Sequence, residues 1–208
     1  MSPHSKSLSV QAPADVRLRR VAEAELPSRF GDFRLLAFQG PDGEELIACV
    51  RGDLEGARGV PVRLHSECFT GDVLGSYRCD CRDQLEAALT LIGRSERGAV
   101  LYLPQEGRGI GLFNKIKAYA LQDEGLDTVE ANAALGFEDD LRNYDLAGQM
   151  LAELGVASIC LLTNNPKKID GLKKCGIRLD GIIPIRMVPN EHNSDYLETK
   201  RTKSGHLL

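Results

Sequence analysis

No stretch of this 208-residue chain approaches the ~20 consecutive apolar residues that a membrane-spanning helix needs. The opening MSPHSKSLSVQAPADV has a single lysine and no continuous apolar run, so it does not read as a secretory signal. Residues 1–16 are expected to form a flexible tail. Basic excess is lacking too: 26 Lys and Arg stand against 30 Asp and Glu, a net charge of −4, which argues against a dedicated nucleic-acid binder. EGRGIG at 106–111 is neither G-x-x-x-x-G-K-[ST] nor G-x-G-x-x-G, so P-loop and Rossmann fingerprints are both missing. The Asn-Lys-x-Asp signature of P-loop GTPases is missing as well, and NNPKK at 164–168 is no substitute for it. There is no internal repeat, low-complexity tract or clear interdomain linker.

What is present is an ordinary globular balance, 42% apolar and 27% charged, in a chain long enough for one full core. RLRRVAEAEL, FRLLAF and ELIACVRG read as strands, parted by Pro27 to Asp32 and by the turn GPDG at 40–43. VPVRLHSECF reads as a fourth strand running into a Thr70-Gly71-Asp72 turn. Helices are expected for QLEAALTLIGRS, for LFNKIKAYALQDEG after the 104–111 loop, and for residues 143–155, which stop on Gly155. GAVLYL and SICLLT read as strands. Pro166 suits the first turn of a further helix and Gly176 its end, followed by a strand, IRLDGIIPI, and a helix from Asn193 to about Lys203. This alternation predicts an α/β class with a mixed sheet flanked by helices.

Six cysteines in a chain expected to be cytoplasmic point to metal rather than disulfides. Cys49, Cys160 and Cys175 stand singly in apolar or helical contexts and read as small buried thiols. Cys68, Cys79 and Cys81 differ, because HSECFTGDVLGSYRCDC separates a Cys-x-Cys pair from another cysteine by ten intervening residues, turn residues among them. Thiolates are soft ligands suited to zinc, and three of them leave one position for water, the pattern of a catalytic site. His65 or another cysteine as a fourth ligand makes the site structural instead.

RLHSECFTGDVLGSYRCDCRDQLEAAL, LPQEGRGIGLFNKIKAYALQDEGLDTVEAN, GFEDDLRNYDLAGQML and LLTNNPKKIDGL together resemble GTP cyclohydrolase II from about Arg19 onward. The resemblance implies that family's fold, a single catalytic domain over 17–208, and the monofunctional form without a dihydroxybutanone phosphate synthase domain. It implies that GTP and water give 2,5-diamino-6-ribosylamino-4(3H)-pyrimidinone 5′-phosphate, formate and pyrophosphate, the committed step toward riboflavin. One Zn²⁺ per subunit would serve the opening of the guanine ring at carbon 8, and Mg²⁺ would neutralise the triphosphate. A homodimer is expected, with no nucleic-acid or membrane partner.

The same resemblance assigns GTP contacts to Arg63, Leu64, His65, Ser66, Glu67, Gln84, Glu106, Gly107, Arg108, Thr128, Thr163 and Lys168. Chemically, Arg63 offers a planar fork for phosphate, Gln84 a donor and acceptor, and Glu106 an acceptor for guanine N–H groups. Tyr119 follows Leu112 and Ile116 at helical spacing and reads from position as a core residue; the resemblance instead sets it beside the zinc as a catalytic group. Asp140 is assigned as proton acceptor and Arg142 as nucleophile toward the α-phosphorus. Because a guanidinium stays protonated, charge stabilisation is the chemically easier task for Arg142. Two rivals stand beside this: a cyclohydrolase that stops at the formamide or keeps pyrophosphate, and a zinc-stapled binding module.

Overall fold

The computed structural model describes residues 18–194 together with Glu198 and Thr202. The expected tail at 1–16 and most of the expected helix from Asn193 to Lys203 lie outside the described residues. The first three strands are β1 (Arg19–Ser28), β2 (Gly31–Gln39) and β3 (Glu45–Arg51), paired antiparallel in sequence order. In β2 the apolar residues Phe33, Leu36 and Phe38 are buried, whereas β1 is an exposed edge strand that tolerates Pro27 near its end.

The remaining strands are β4 (Val60–Ser66), β5 (Gly98–Leu103), β6 (Ile159–Leu162) and β7 (Leu179–Ile183). The order across the seven-stranded sheet is β1-β2-β3-β5-β4-β6-β7, antiparallel as far as β3–β5 and parallel from β5 through β4 and β6 to β7. Central β4 and β5 are buried on both faces, which explains why GAVLYL is an apolar run and why VPVRL is apolar apart from the buried Arg63.

Helices cover both sides. On one face α1 (Cys81–Arg94) lays Ala88 and Ile92 against Phe33, Val100 and Leu162. On the other, α4 (Asp145–Glu153) and α5 (Pro166–Lys174) bring Met150, Leu151 and Leu172 onto Leu36, Leu64, Leu101 and Leu161. Each such side chain, fully removed from water, contributes about 2 kcal/mol. Pro166 occupies the first turn of α5 as expected, with Asn165 capping it through a bond from the Lys167 amide.

α2 (Leu112–Asp123) packs against α3 (Thr128–Ala134), a short helix that periodicity did not reveal. Asp127 caps α3 and forms a reciprocal capping box with Glu130. Another departure is the Thr70-Gly71-Asp72 turn, which is a π-helical turn over Phe69–Val73. The parallel strands point their carboxyl ends at three loops: Glu67–Cys68 after β4, 104–111 after β5, and Thr163–Asn165 after β6. Ligands bind outside such ends in open α/β sheets.

Candidate active site and metal centre

Cys68 follows β4, Cys79 lies in the loop before α1, and Cys81 opens α1. Their sulfurs all lie within 4.8 Å of one another, and no other His, Cys, Asp or Glu joins this group among the described residues. The Cys68–Cys79 Sγ separation is 3.7 Å. Tetrahedral zinc with Zn–S bonds near 2.3 Å sets its sulfurs about 3.8 Å apart, so the donor set fits that ion. Gly71 lies directly against the cluster: a Cβ there would meet the Cys79 sulfur at 2.9 Å and the Cys68 sulfur at 3.1 Å.

His65, considered as a fourth ligand, is committed elsewhere. It is 1% exposed and its Nε2 lies 3.0 Å from Asp72, whose carboxylate also accepts from the Tyr102 hydroxyl at 2.9 Å and the Cys68 amide at 3.0 Å. His65 and Tyr102 are partners in the β4–β5 register, and their rings stack 5.4 Å apart. Burial lowers the His65 pKa, so the ring is neutral and donates to Asp72. This carboxylate thus holds both the π-helical turn and the Cys68 backbone.

Lys115, which sequence reasoning missed, donates to the Cys68 sulfur at 3.0 Å and to Glu106 at 2.7 Å. Bonds from Cys79 and Cys81, together with this ammonium, hold the Cys68 thiol well below its ordinary pKa. Glu106 also accepts from the Phe69 amide at 2.6 Å and the Gly107 amide at 2.7 Å. It therefore ties the 104–111 loop to the cysteine turn. Gly107 and Arg108 both adopt left-handed backbone, φ 61° and 60°, and Arg108 pairs with Asp139. For a non-glycine residue that conformation is strained, and it fixes where the Arg108 guanidinium points.

The expected core stripe on α2 is a correction, because Ile116 is half exposed. The inward face instead carries Lys115, Ala118, Tyr119 and Gln122, which all line a cleft. Tyr119 bonds the Thr70 hydroxyl at 3.2 Å and has the Arg78 guanidinium 4.8 Å above its ring. A cavity of about 600 Å³ joins this face to the cysteines, Ser66, Glu67, Glu106–Arg108, Thr128 and Arg142. Arg142 makes a bidentate bond to Asp140 at 2.8 and 2.9 Å, and Lys167 stands 3.5 Å from the same carboxylate. Burial pushes Asp140 up, but Arg142 outweighs it and brings the pKa down to about 2.

Other expected contacts sit behind the cavity wall. Leu64 is fully buried in the core, so its side chain is not presented to a ligand. Arg63 is 5% exposed, donating to the Leu162 carbonyl at 3.1 Å and to Gln84 at 2.5 Å, while Gln84 donates in turn to Asp80. Lys168 is buried with its ammonium on the Leu64 carbonyl at 2.7 Å, and the Thr163 hydroxyl accepts from the Asn165 amide at 3.0 Å. Together they form the wall under the parallel strand ends.

A model of the GTP cyclohydrolase II family matches residues 19–184, which spans every residue discussed above. The chain belongs to that family. It is 52% identical to the GTP cyclohydrolase-2 of Proteus mirabilis over 194 residues, covering 93% of this chain and 98% of that protein. It is 53% identical over 193 residues to the riboflavin biosynthesis protein RibBA of Bacillus subtilis, and 50% identical over 192 residues to that of Endomicrobium trichonymphae. Those two alignments cover 92% of this chain and 48% of each relative, so the chain spans about half the length of the RibBA proteins it matches. Membership gives the three-cysteine cluster its context, and the seven-stranded sheet is the mixed α/β arrangement expected from the sequence.

Proposed function

We propose that this chain hydrolyses GTP at guanine carbon 8, releasing formate and pyrophosphate and giving the diaminopyrimidinone ribosyl phosphate that leads to riboflavin. The observation that carries the reading is a three-sulfur cluster, joined by no fourth His, Cys, Asp or Glu among the described residues, opening on the cavity that holds Glu67, Arg108, Tyr119 and Arg142. Cys68, Cys79 and Cys81 would hold the zinc, which would supply Lewis acidity and activate water at neutral pH. One zinc per subunit, Mg²⁺ on the triphosphate, a homodimer and a cytoplasmic setting belong to this reading and rest on the family alone.

The chain's own residues divide the remaining work. The Tyr119 hydroxyl, oriented by Thr70, is supported as the group that holds a proton at the opened ring. Arg108 and Arg142 offer guanidinium forks to phosphate. Asp140 keeps Arg142 protonated and aimed, which supports charge stabilisation at the α-phosphate over covalent attack. A carboxylate already neutralised by Arg142 and Lys167 is a poor base, so we read Asp140 as positioning Arg142. Arg63, Gln84, Thr163 and Lys168 support the wall beneath the phosphates.

The test is incubation of zinc-loaded and chelated protein with GTP and Mg²⁺, measuring formate, pyrophosphate and pyrimidine product separately. Equimolar formate and pyrophosphate from the loaded protein alone are expected. Chelation should abolish turnover and leave the fold intact; an apo protein that unfolds would favour the zinc-stapled module.

A further inference from the structure

Glu106, expected to read guanine N–H groups, is already engaged by Lys115, the Phe69 amide and the Gly107 amide. Three of the roughly four acceptor sites of that carboxylate are filled, which leaves most of the polar edge of a base in the cavity to another side chain. α3 supplies one. Thr128 and Asn132 are four residues apart, share one face of that helix, and both line the cavity.

Asn132 is 3% exposed, and among the described residues nothing bonds its side-chain amide. Its backbone carbonyl serves the end of α3, accepting from the Leu135 and Phe137 amides, so the side chain has no capping task. Its amide atoms are not among the polar atoms sealed without a partner in the interior but line the cavity, where a ligand can complete them. Ile110, Ala118 and Leu126 line the same cavity and offer apolar surface suited to the faces of a planar ring.

Building on the GTP reading above, we propose that Asn132 is a specificity-determining contact to the purine edge. Its amide NH₂ donates to guanine O6, and its amide oxygen accepts from the adjacent N1–H. Donor and acceptor lie side by side in an amide, which matches that pair of ring atoms.

The test compares parent and Asn132→Ala proteins on GTP and on 2-aminopurine ribonucleoside triphosphate, which lacks both O6 and the N1 proton. The variant is expected to raise KM for GTP ~10-fold with kcat within about 3-fold, at unchanged zinc content. The parent's preference for GTP over the analogue should shrink by a similar factor, because the lost contact is shared between protein and base. Asn132→Asp, nearly the same size, separates packing from recognition and should lose preference in the same direction. Unchanged KM and preference in both variants, whatever their Tm, would overturn the assignment while leaving the GTP reading standing. A parent protein inactive on GTP overturns both.

Discussion

Replacing Gly71 with alanine tests whether the cysteine cluster is built around an ion. The added methyl would stand 2.9 Å from the Cys79 sulfur, 3.1 Å from the Cys68 sulfur and 3.1 Å from the Cys81 Cβ, all shorter than ordinary contact. Relief requires the sulfurs to spread by several tenths of an ångström. Free thiols can do so by rotating, whereas sulfurs held at tetrahedral spacing cannot. Overpacking of this kind costs about 1–3 kcal/mol. The strain falls on the metal-bound form, so zinc affinity should drop roughly 5- to 150-fold. Zinc affinity is measured by competition with a chromophoric chelator, and Tm is recorded for apo and loaded protein. The apo Tm should change little, and the gain in Tm on adding zinc should shrink. If Gly71→Ala binds zinc like the parent, the sulfurs are not arranged around an ion.

Lys115→Met should remove the donor to Cys68 and leave the Glu106 charge buried with only amide partners. A loss of about 3 kcal/mol in denaturant unfolding is expected, with Lys115→Arg recovering part of it; an unchanged midpoint would show the ion pair to be dispensable. Asp140→Asn should raise KM for GTP while zinc binding stays intact, since the carboxylate orients Arg142 and touches no sulfur. It should also change the acid limb of stability. Asp140 is depressed from 3.8 to about 2, so its contribution is full above pH 4 and is lost as pH falls through 2. That contribution is about 1 kcal/mol after solvent screening. The parent and the Asp140→Asn variant should therefore converge in stability as pH falls through that window, and parallel curves across it would refute the link.

The three-cysteine cluster was legible from spacing because Cys-x-Cys and a distant third cysteine need few tertiary assumptions. The strands were legible too, since β3 alternates buried and half-buried positions and β5 is apolar throughout. α2 misled because apolar periodicity marks the face toward a core, and this helix turns a polar face, Lys115 to Gln122, toward the cavity. Lys115 and Tyr119 stand one turn apart, a signal that could have paired them. α3 is seven residues long, too short for periodicity, although Asp127 and Glu130 spelled its capping box. The π-helical turn was invisible because what shapes it is distant in sequence: Asp72 gathers donors from β4 and β5, and Phe69 bonds Glu106.

The grip on Cys68 bears on when metal enters this protein. Asp72 holds its amide and Lys115 holds its sulfur, and each is held in turn by protein groups, Asp72 by His65 and Tyr102 and Lys115 by Glu106. On the reading proposed above, a socket held in this way would accept zinc after the chain has folded, so metallation would be a docking event with no refolding attached. Occupancy of the folded protein would then follow the free zinc level, and an empty molecule would wait intact for its ion instead of being lost to unfolding.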